Sequence, residues 1–182
     1  MTPELSLLDP KIDVVFKMLF ADSDSEPLLI GILNAVLKYP SPIVSAKVTN
    51  PELPKVFRDD KGTVLDIHVV LADGHIVNVE MQCSNKGDIR KRSLFHWART
   101  YTAQLRRGNS HIYAKLMPTN AVFFLNYTEF KGTKSRLQHT FYAQDQFDSG
   151  SKLDGFRVDF IQLPQIVKEK SIWNSEREID PL

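Results

Sequence analysis

The chain has 182 residues, of which 42% are hydrophobic and 25% charged, as in ordinary globular proteins. Its formal net charge is +1, so any affinity for nucleic acid must come from a local basic patch. The single cysteine, Cys83, excludes an intrachain disulfide and a cysteine-based zinc site. No apolar segment approaches the roughly 20 residues that span a bilayer, and the amino terminus lacks a signal-peptide pattern. We therefore expect a cytoplasmic protein with no membrane partner.

Two helices and a strand are predicted in the amino-terminal part. The segment Pro10–Phe20 predicts a short helix capped by Asp9, because a proline in the first turn suits a helix start. Apolar residues at helical spacing predict a second helix over Glu26–Leu37. The stretch Ile43–Val48 predicts a strand, and the proline- and charge-rich stretch 50–61 predicts a loop.

The most informative stretch is a predicted hairpin, 64–82, in which polar side chains interrupt two apolar strands. Asp66 lies on the first strand, and Glu80 and Gln82 lie on the second. Strand interiors disfavour Asp, and a buried carboxylate is costly unless a partner compensates it. A divalent cation is such a partner, because hard cations prefer oxygen ligands.

The length of the turn decides whether the two carboxylates share a face. A two-residue loop pairs Asp66 with Met81 and places the carboxylates on opposite faces. A three-residue loop, Ala72–Gly74 with its glycine in the left-handed region, pairs Asp66 with Glu80. We favour the three-residue loop, since a slip of one residue turns every side chain to the other face.

One long helix and three further strands are predicted in the second half. The helix spans Asp88–Arg107, with Gly108 as its cap and a buried stripe at Leu94, Ala98, Tyr101 and Leu105. The strands are predicted at Ala121–Tyr127, Leu137–Ala143 and Phe156–Leu163, with a loop at 145–155. This order predicts a single α/β domain over 1–182, with a core at about 9–163 and a polar tail at 164–182.

The hairpin resembles the metal site of the PD-(D/E)XK nuclease superfamily, an Asp on one strand and Glu-x-Lys on the next. Glu80-Met81-Gln82 is similar to the Glu-x-Gln of one branch, the PD-(D/E)XK nuclease family transposases or recombination-promoting nucleases. Two other segments match that branch in order: Asp13-Val-Val-Phe-Lys17 is similar to its amino-terminal helix, and Arg92–Tyr101 to its post-hairpin helix. Leu65 stands where the superfamily has proline. The resemblance implies a restriction-endonuclease-like α/β core, a mixed central sheet flanked by helices; the tail at 164–182 is short relative to the family.

The resemblance also implies a metal site. Asp66 and Glu80 would hold Mg²⁺, with Mn²⁺ as the alternative ion. The backbone carbonyl of Met81 would be a third ligand, and Asp13 would bind the metal through water. Hard oxygen ligands of this kind suit Mg²⁺.

Cationic and amide side chains would complete the site. Gln82 stands where the superfamily has lysine; it cannot act as a general base, but it can hold a water. Lys17 would meet a phosphate or supply the missing positive charge, although Asp13 and Lys17 also have the spacing of a surface ion pair. The long helix is basic, and we expect four of its cations to contact DNA phosphates: Lys91, Arg92, Arg99 and Arg106. The alternative for these four is an ordinary solvated helix face.

The sequence thus predicts a Mg²⁺-dependent endodeoxyribonuclease linked to transposition or recombination, with DNA as its partner and a homodimer as a further expectation. The alternative is a nuclease-fold module that no longer cuts and binds DNA or a partner protein. The missing lysine favours that alternative. The histidines show no metal-binding spacing and receive no role: His68, His75, His96, His111 and His139.

Overall fold

The computed structural model describes residues 9–49, 67–105, 113–132 and 136–166. It contains three α-helices and six strands in the order that the sequence predicts. The helices are α1 (Asp13–Phe20), α2 (Glu26–Leu37) and α3 (Ile89–Thr102). The strands are β1 (Ala46–Val48), β2 (Ile67–Leu71), β3 (Ile76–Gln82), β4 (Thr119–Leu125), β5 (Gln138–Gln144) and β6 (Lys152–Gln162). Two short 3₁₀ turns lie at Ser23–Ser25 and Tyr113–Lys115.

The six strands form one mixed sheet in the order β1-β2-β3-β4-β6-β5. Strands β1, β2 and β3 pair antiparallel, β3, β4 and β6 pair parallel, and β5 adds to β6 antiparallel. This open sheet flanked by helices confirms the predicted restriction-endonuclease-like α/β fold.

Helices cover the sheet on both faces, and their apolar side chains form two cores. Phe16 of α1 and Leu29 and Leu33 of α2 pack in a cluster with Met81 and Phe124. On the opposite face, α3 packs through residues that include Ile89 and Trp97 against the residues Ala121, Phe123 and Leu125 of β4. The central strands are therefore buried on both faces, as parallel strands require.

Several predicted boundaries differ from the structure for local reasons. Helix α1 starts at Asp13, with Ile12 in the cap position, because the Asp9 carboxylate accepts a hydrogen bond from the Lys11 amide ahead of the helix (2.9 Å). Strand β1 is shorter than predicted because Ile43 exchanges two hydrogen bonds with the side chain of Asn34 (2.8 and 3.0 Å). The backbone groups of Ile43 therefore bond to Asn34 and not to β2.

The long helix also ends early, at Thr102, where the side chain of Gln104 joins the helix end to the sheet. Gln104 accepts a hydrogen bond from the Met117 amide (2.8 Å) and donates to the Met117 carbonyl (3.1 Å). Strand β6 begins at Lys152, inside the predicted loop, since Lys152 pairs with Gln144 of β5. The predicted helix end at Arg107, its cap Gly108 and the tail from residue 167 lie outside the described residues. No helix in the described part of the chain is long and apolar enough to span a membrane.

Candidate functional site

Polar side chains occupy one face of the central strand β3. Asn78, Glu80 and Gln82 alternate with Val77, Val79 and Met81, which point into the apolar core under α1 and α2. Asn78 is 0% exposed and Glu80 is 2% exposed. A carboxylate and an amide are thus withdrawn from water in the middle of the sheet, where each needs partners.

The hairpin has the register that a three-residue turn predicts. Ile67 pairs with Val79, and the amide of Leu71 donates to the carbonyl of His75 (2.9 Å) across the turn. Gly74 has φ +86°, the left-handed conformation that glycine adopts without steric cost. The predicted turn is therefore confirmed over the described pairs. Asp66, the residue before Ile67, lies outside the described residues.

Three side chains hold the carboxylate of Glu80. Its Oε1 accepts a hydrogen bond from Nδ2 of Asn78 (2.7 Å) and contacts Nδ1 of His96, a residue of α3. Its Oε2 lies 3.4 Å from Nε2 of Gln82. The side chains of His96 and Glu80 are 12% and 3% exposed. Because little water reaches the pair, these contacts rather than solvent fix the orientation of the carboxylate.

Gln82 links Glu80 to a cation on the helix. Nη1 of Arg92 donates to Oε1 of Gln82 at 3.0 Å. A guanidinium only donates, so the oxygen of Gln82 must face Arg92 and its NH₂ must face Glu80. The result is a directed chain of hydrogen bonds from Arg92 through Gln82 to the carboxylate.

The donor set suits a hard divalent cation. Oε1 of Glu80 is already engaged twice, whereas Oε2 has, among the described residues, the single long contact with Gln82. Oδ1 of Asn78 is buried and has no hydrogen-bond partner. An orphaned buried oxygen beside a carboxylate is the environment that a bound cation with its waters would satisfy. No group of three or more His, Cys, Asp or Glu residues that could hold a metal occurs in the described part of the chain, which leaves out Asp66.

Helix α1 lies across the face of the sheet opposite to Glu80. Phe16 packs into the apolar cluster that contains Met81, and Sγ of Cys83 lies 2.8 Å from the Lys11 carbonyl. The start of α1 therefore adjoins the carboxyl end of β3. Lys17 is half-buried on this helix. The side chain of Asp13 is outside what the structure describes. The roles predicted for these two residues stay predictions.

The basic helix differs from its predicted arrangement. Lys91 is exposed, and Arg92 is half-buried against Gln82. Arg99 is 8% exposed, with its guanidinium 5.6 Å from the ring of Phe95. Arg99 is thus buried rather than part of an exposed basic face, and the DNA contacts predicted for Arg92 and Arg99 stay predictions. Arg106 lies outside the described residues.

The predicted stripe of α3 is also wrong, and His96 lies on a face of the helix that this stripe does not include. Leu94 is 53% exposed, whereas Ile89, Ser93 and Thr100 are buried. These three residues have spacings of four and seven, and His96 falls between them on the same side of the helix. The sequence signal for this face is that two small polar residues, Ser93 and Thr100, share it with the imidazole of His96.

His68 is a neighbour of the site. It pairs with Asn78 across the hairpin, so both side chains are on one face of the sheet. Its Nδ1 lies 2.6 Å from the hydroxyl of Thr49, and burial lowers the pKa of its ring. His68 thus has a hydrogen-bond partner in Thr49, the residue that follows β1, and the expectation that it is not a metal ligand stays a prediction.

Fold and site together define a class: an α/β protein whose central strand carries a buried, positioned glutamate beside a basic helix. The family model for the PD-(D/E)XK nuclease family transposases matches residues 10–180, and the chain belongs to this family. The family supports a nuclease-type function, for which DNA is the substrate class and divalent metals are the general cofactors. Searches of curated proteins and of solved structures found no match.

Proposed function

We propose that the protein is a Mg²⁺-dependent DNA endonuclease that hydrolyses phosphodiester bonds during DNA rearrangement. The observation that carries the proposal is Glu80. The strand buries its carboxylate at 2% exposure, and Asn78 and His96 hold one oxygen, so the other oxygen has a fixed direction. Such positioning is costly for stability and is characteristic of sites that act on a ligand.

The cation would be held by Glu80, by the Met81 carbonyl and by Asp66, which directly precedes Ile67 in the chain. In the described register Ile67 pairs with Val79, and the same register continued by one residue would pair Asp66 with Glu80. When bound, a divalent cation lowers the pKa of a coordinated water and offsets charge on a phosphate. Mn²⁺ offers the same coordination chemistry and serves as a second test ion.

The protein's own groups have separate tasks in this proposal. Gln82 holds the attacking water through its NH₂, while Arg92 fixes the amide from behind. The water oxygen forms a bond to phosphorus, the bond to the leaving oxygen breaks, and the water's protons pass to solvent and to the leaving group. Lys17 and the exposed Lys91 would meet the phosphate backbone.

His96 acts as a positioning residue through Glu80. An ionised carboxylate only accepts, so Nδ1 of His96 carries the hydrogen and donates it to Oε1. This contact leaves Oε2 as the oxygen directed at the cation. Partners of this kind orient metal ligands in many sites and are nearly as necessary as the ligands themselves.

Plasmid cleavage tests the proposal. Supercoiled plasmid is incubated with protein in Mg²⁺, Mn²⁺ or EDTA and read on a gel. We expect nicked and linear product with either metal and none in EDTA. Glu80→Gln should abolish cleavage and keep the fold, since Gln retains an oxygen for Asn78 and His96. Asp66→Asn should do the same. Asp73→Asn is the matched control, an exposed carboxylate in the neighbouring turn that should leave cleavage unchanged. Full activity of Glu80→Gln would remove the proposal.

A non-cutting module is the second candidate, and Gln82 is the observation that favours it. Its amide is already bonded to Arg92 and close to Glu80, and it cannot take a proton from water. Calorimetric titration separates the two candidates. Mg²⁺ binding that disappears in Glu80→Gln supports the enzyme, whereas DNA binding that is indifferent to both metal and Glu80→Gln supports the module.

A further inference from the structure

The two edges of the sheet are protected to very different degrees. Strand β1, at one edge, has three residues and carries Lys47. Strand β5, at the other edge, runs for seven residues, Gln138–Gln144, without a charged residue or a proline. Short length, charge and proline are the usual means by which proteins prevent an edge strand from pairing. Strand β5 uses none of these three; a bulge, which is another such device, lies after Tyr142, beyond the segment 138–142 that pairs in regular register with β6.

The backbone of β5 offers free pairing groups away from β6. The amide of Gln162 donates to the carbonyl of Leu137 (2.8 Å), which sets the phase of the antiparallel ladder. His139 and Phe141 then bond to β6, and Thr140 and Tyr142 direct their amide and carbonyl groups outwards. Among the described residues β6 is the one strand that pairs with β5, so no described strand pairs with these outward groups.

Exposed apolar side chains surround this edge. Phe141 is 43% exposed and Tyr142 is 45% exposed, on opposite faces of β5. In the β5–β6 hairpin, Phe147 is 92% exposed and Leu153 is 75% exposed. On the Phe141 face, an apolar cavity of about 280 Å³ extends from β5 to Leu94 of α3. An unpaired edge bordered by exposed aromatic rings is typical of a protein contact surface.

We propose that the edge of β5 pairs with β5 of a second copy of the chain, antiparallel across a two-fold axis. Strand β5 carries no charge that a partner of opposite charge could complement. An antiparallel copy of the same strand, however, presents hydrogen-bonding groups and apolar side chains that match its own. A two-fold axis places each strand antiparallel to its copy, which antiparallel hydrogen bonding requires. Phe141 and Tyr142 then each approach their symmetry mates on their own face of a sheet that continues through both copies.

Oligomeric state tests the interface. Sedimentation equilibrium is run over a concentration series on the wild type, two edge variants and one control. Phe141→Lys and Tyr142→Lys place like charges beside each other across the axis, on the two faces. Leu28→Lys makes the same chemical change at a residue of α2 that is 53% exposed and lies off the edge. Thermal melting by circular dichroism verifies that each variant folds.

The expected wild-type mass is twice the 20.8 kDa of one chain. Both edge variants should sediment as folded monomers, and Leu28→Lys should remain dimeric. Glu80→Gln should also dimerise, so a failure of the proposed nuclease activity would not affect this result. A monomeric wild type would overturn the interface. Two folded edge variants that stay dimeric, or a Leu28→Lys protein that dissociates, would overturn it equally.

Discussion

Replacement of His96 by alanine tests whether α3 controls the orientation of Glu80, the proposed metal ligand on β3. His96→Ala removes one of the two donors to Oε1 of Glu80 and leaves the donor from Asn78 in place. The carboxylate is then held less firmly against rotation about its last bond, since Asn78 and Gln82 are its remaining described partners. We expect weaker binding of Mg²⁺ and Mn²⁺, slower metal-dependent cleavage, and unchanged DNA binding in EDTA.

The size of the effect follows from the burial of the pair. With side chains 3% and 12% exposed, water has little access to replace the lost donor. A hydrogen bond to a charged group contributes about 1.5–3 kcal/mol. Since about 1.4 kcal/mol corresponds to a factor of ten, metal binding should weaken by about 10- to 100-fold. This range equals the usual cost of removing an outer partner of a metal ligand.

Isothermal titration with Mn²⁺ measures the change directly. His96→Asn is the rescue variant, because its amide nitrogen takes nearly the place of Nδ1 and should recover most of the affinity. His75→Ala, in the turn of the hairpin, is the matched histidine control. His96 also contacts the rings of Phe95 and Phe123, with centroids 5.9 and 6.3 Å away, so melting curves must accompany the titrations. If a folded His96→Ala protein binds Mn²⁺ as tightly as wild type, the positioning role is refuted.

Two further predictions concern stability. Gln82→Lys, which restores the superfamily lysine, puts a second cation against Arg92 at a half-buried position and should lower the free energy of unfolding by about 1 kcal/mol. Arg92→Gln in the same protein should recover most of that loss in urea denaturation, and additive effects of the two changes would contradict the contact. Burial and the nearby Arg136 lower the pKa of His139, so the unfolded chain binds a proton at this residue more readily than the folded protein. The free energy of unfolding should therefore be unaffected by His139 above about pH 6.5 and should decrease as the pH falls below that value. His139→Phe keeps the stacking on Phe130 and should reduce this loss between about pH 7 and 5; equal pH slopes for the two proteins would show that His139 is not responsible.

The hairpin could be predicted because its information is local. The positive φ of Gly74 and the alternation of side chains restrict the turn to a few lengths, and each length sets one register. The order of helices and strands was predicted for the same reason, since apolar periodicity is a property of short segments. The position of β5 was not predicted: β6 enters the sheet between β4 and β5, and no local pattern specifies that insertion.

The rotation of α3 about its axis could not be read from its sequence. Its apolar and charged residues lie on all sides, so two faces with similar spacing competed for burial. The structure buries Arg99 and exposes Leu94, a choice that depends on which side chains β3 and β4 present to the helix. That rotation directs His96 to Glu80, so its place in the site depends on the same tertiary contacts. The same dependence on tertiary contacts shortened β1, where Asn34 of α2 takes the backbone groups of Ile43.

In the proposed nuclease, Arg92 would supply the positive charge that a lysine on the strand supplies elsewhere in the superfamily. The lysine of the superfamily would bring its charge directly beside Glu80. In this protein the positive charge belongs to Arg92 of α3, and the side chain of Gln82 lies between that charge and Glu80. Hydrogen bonds in a chain polarise one another, so donation from Arg92 to Oε1 makes the NH₂ of Gln82 a stronger donor. Gln82 can therefore orient a water or a phosphate oxygen more firmly than an isolated amide could. Because the neutral amide of Gln82 takes no proton near neutral pH, the rate of the proposed cleavage should not depend on the protonation of this side chain.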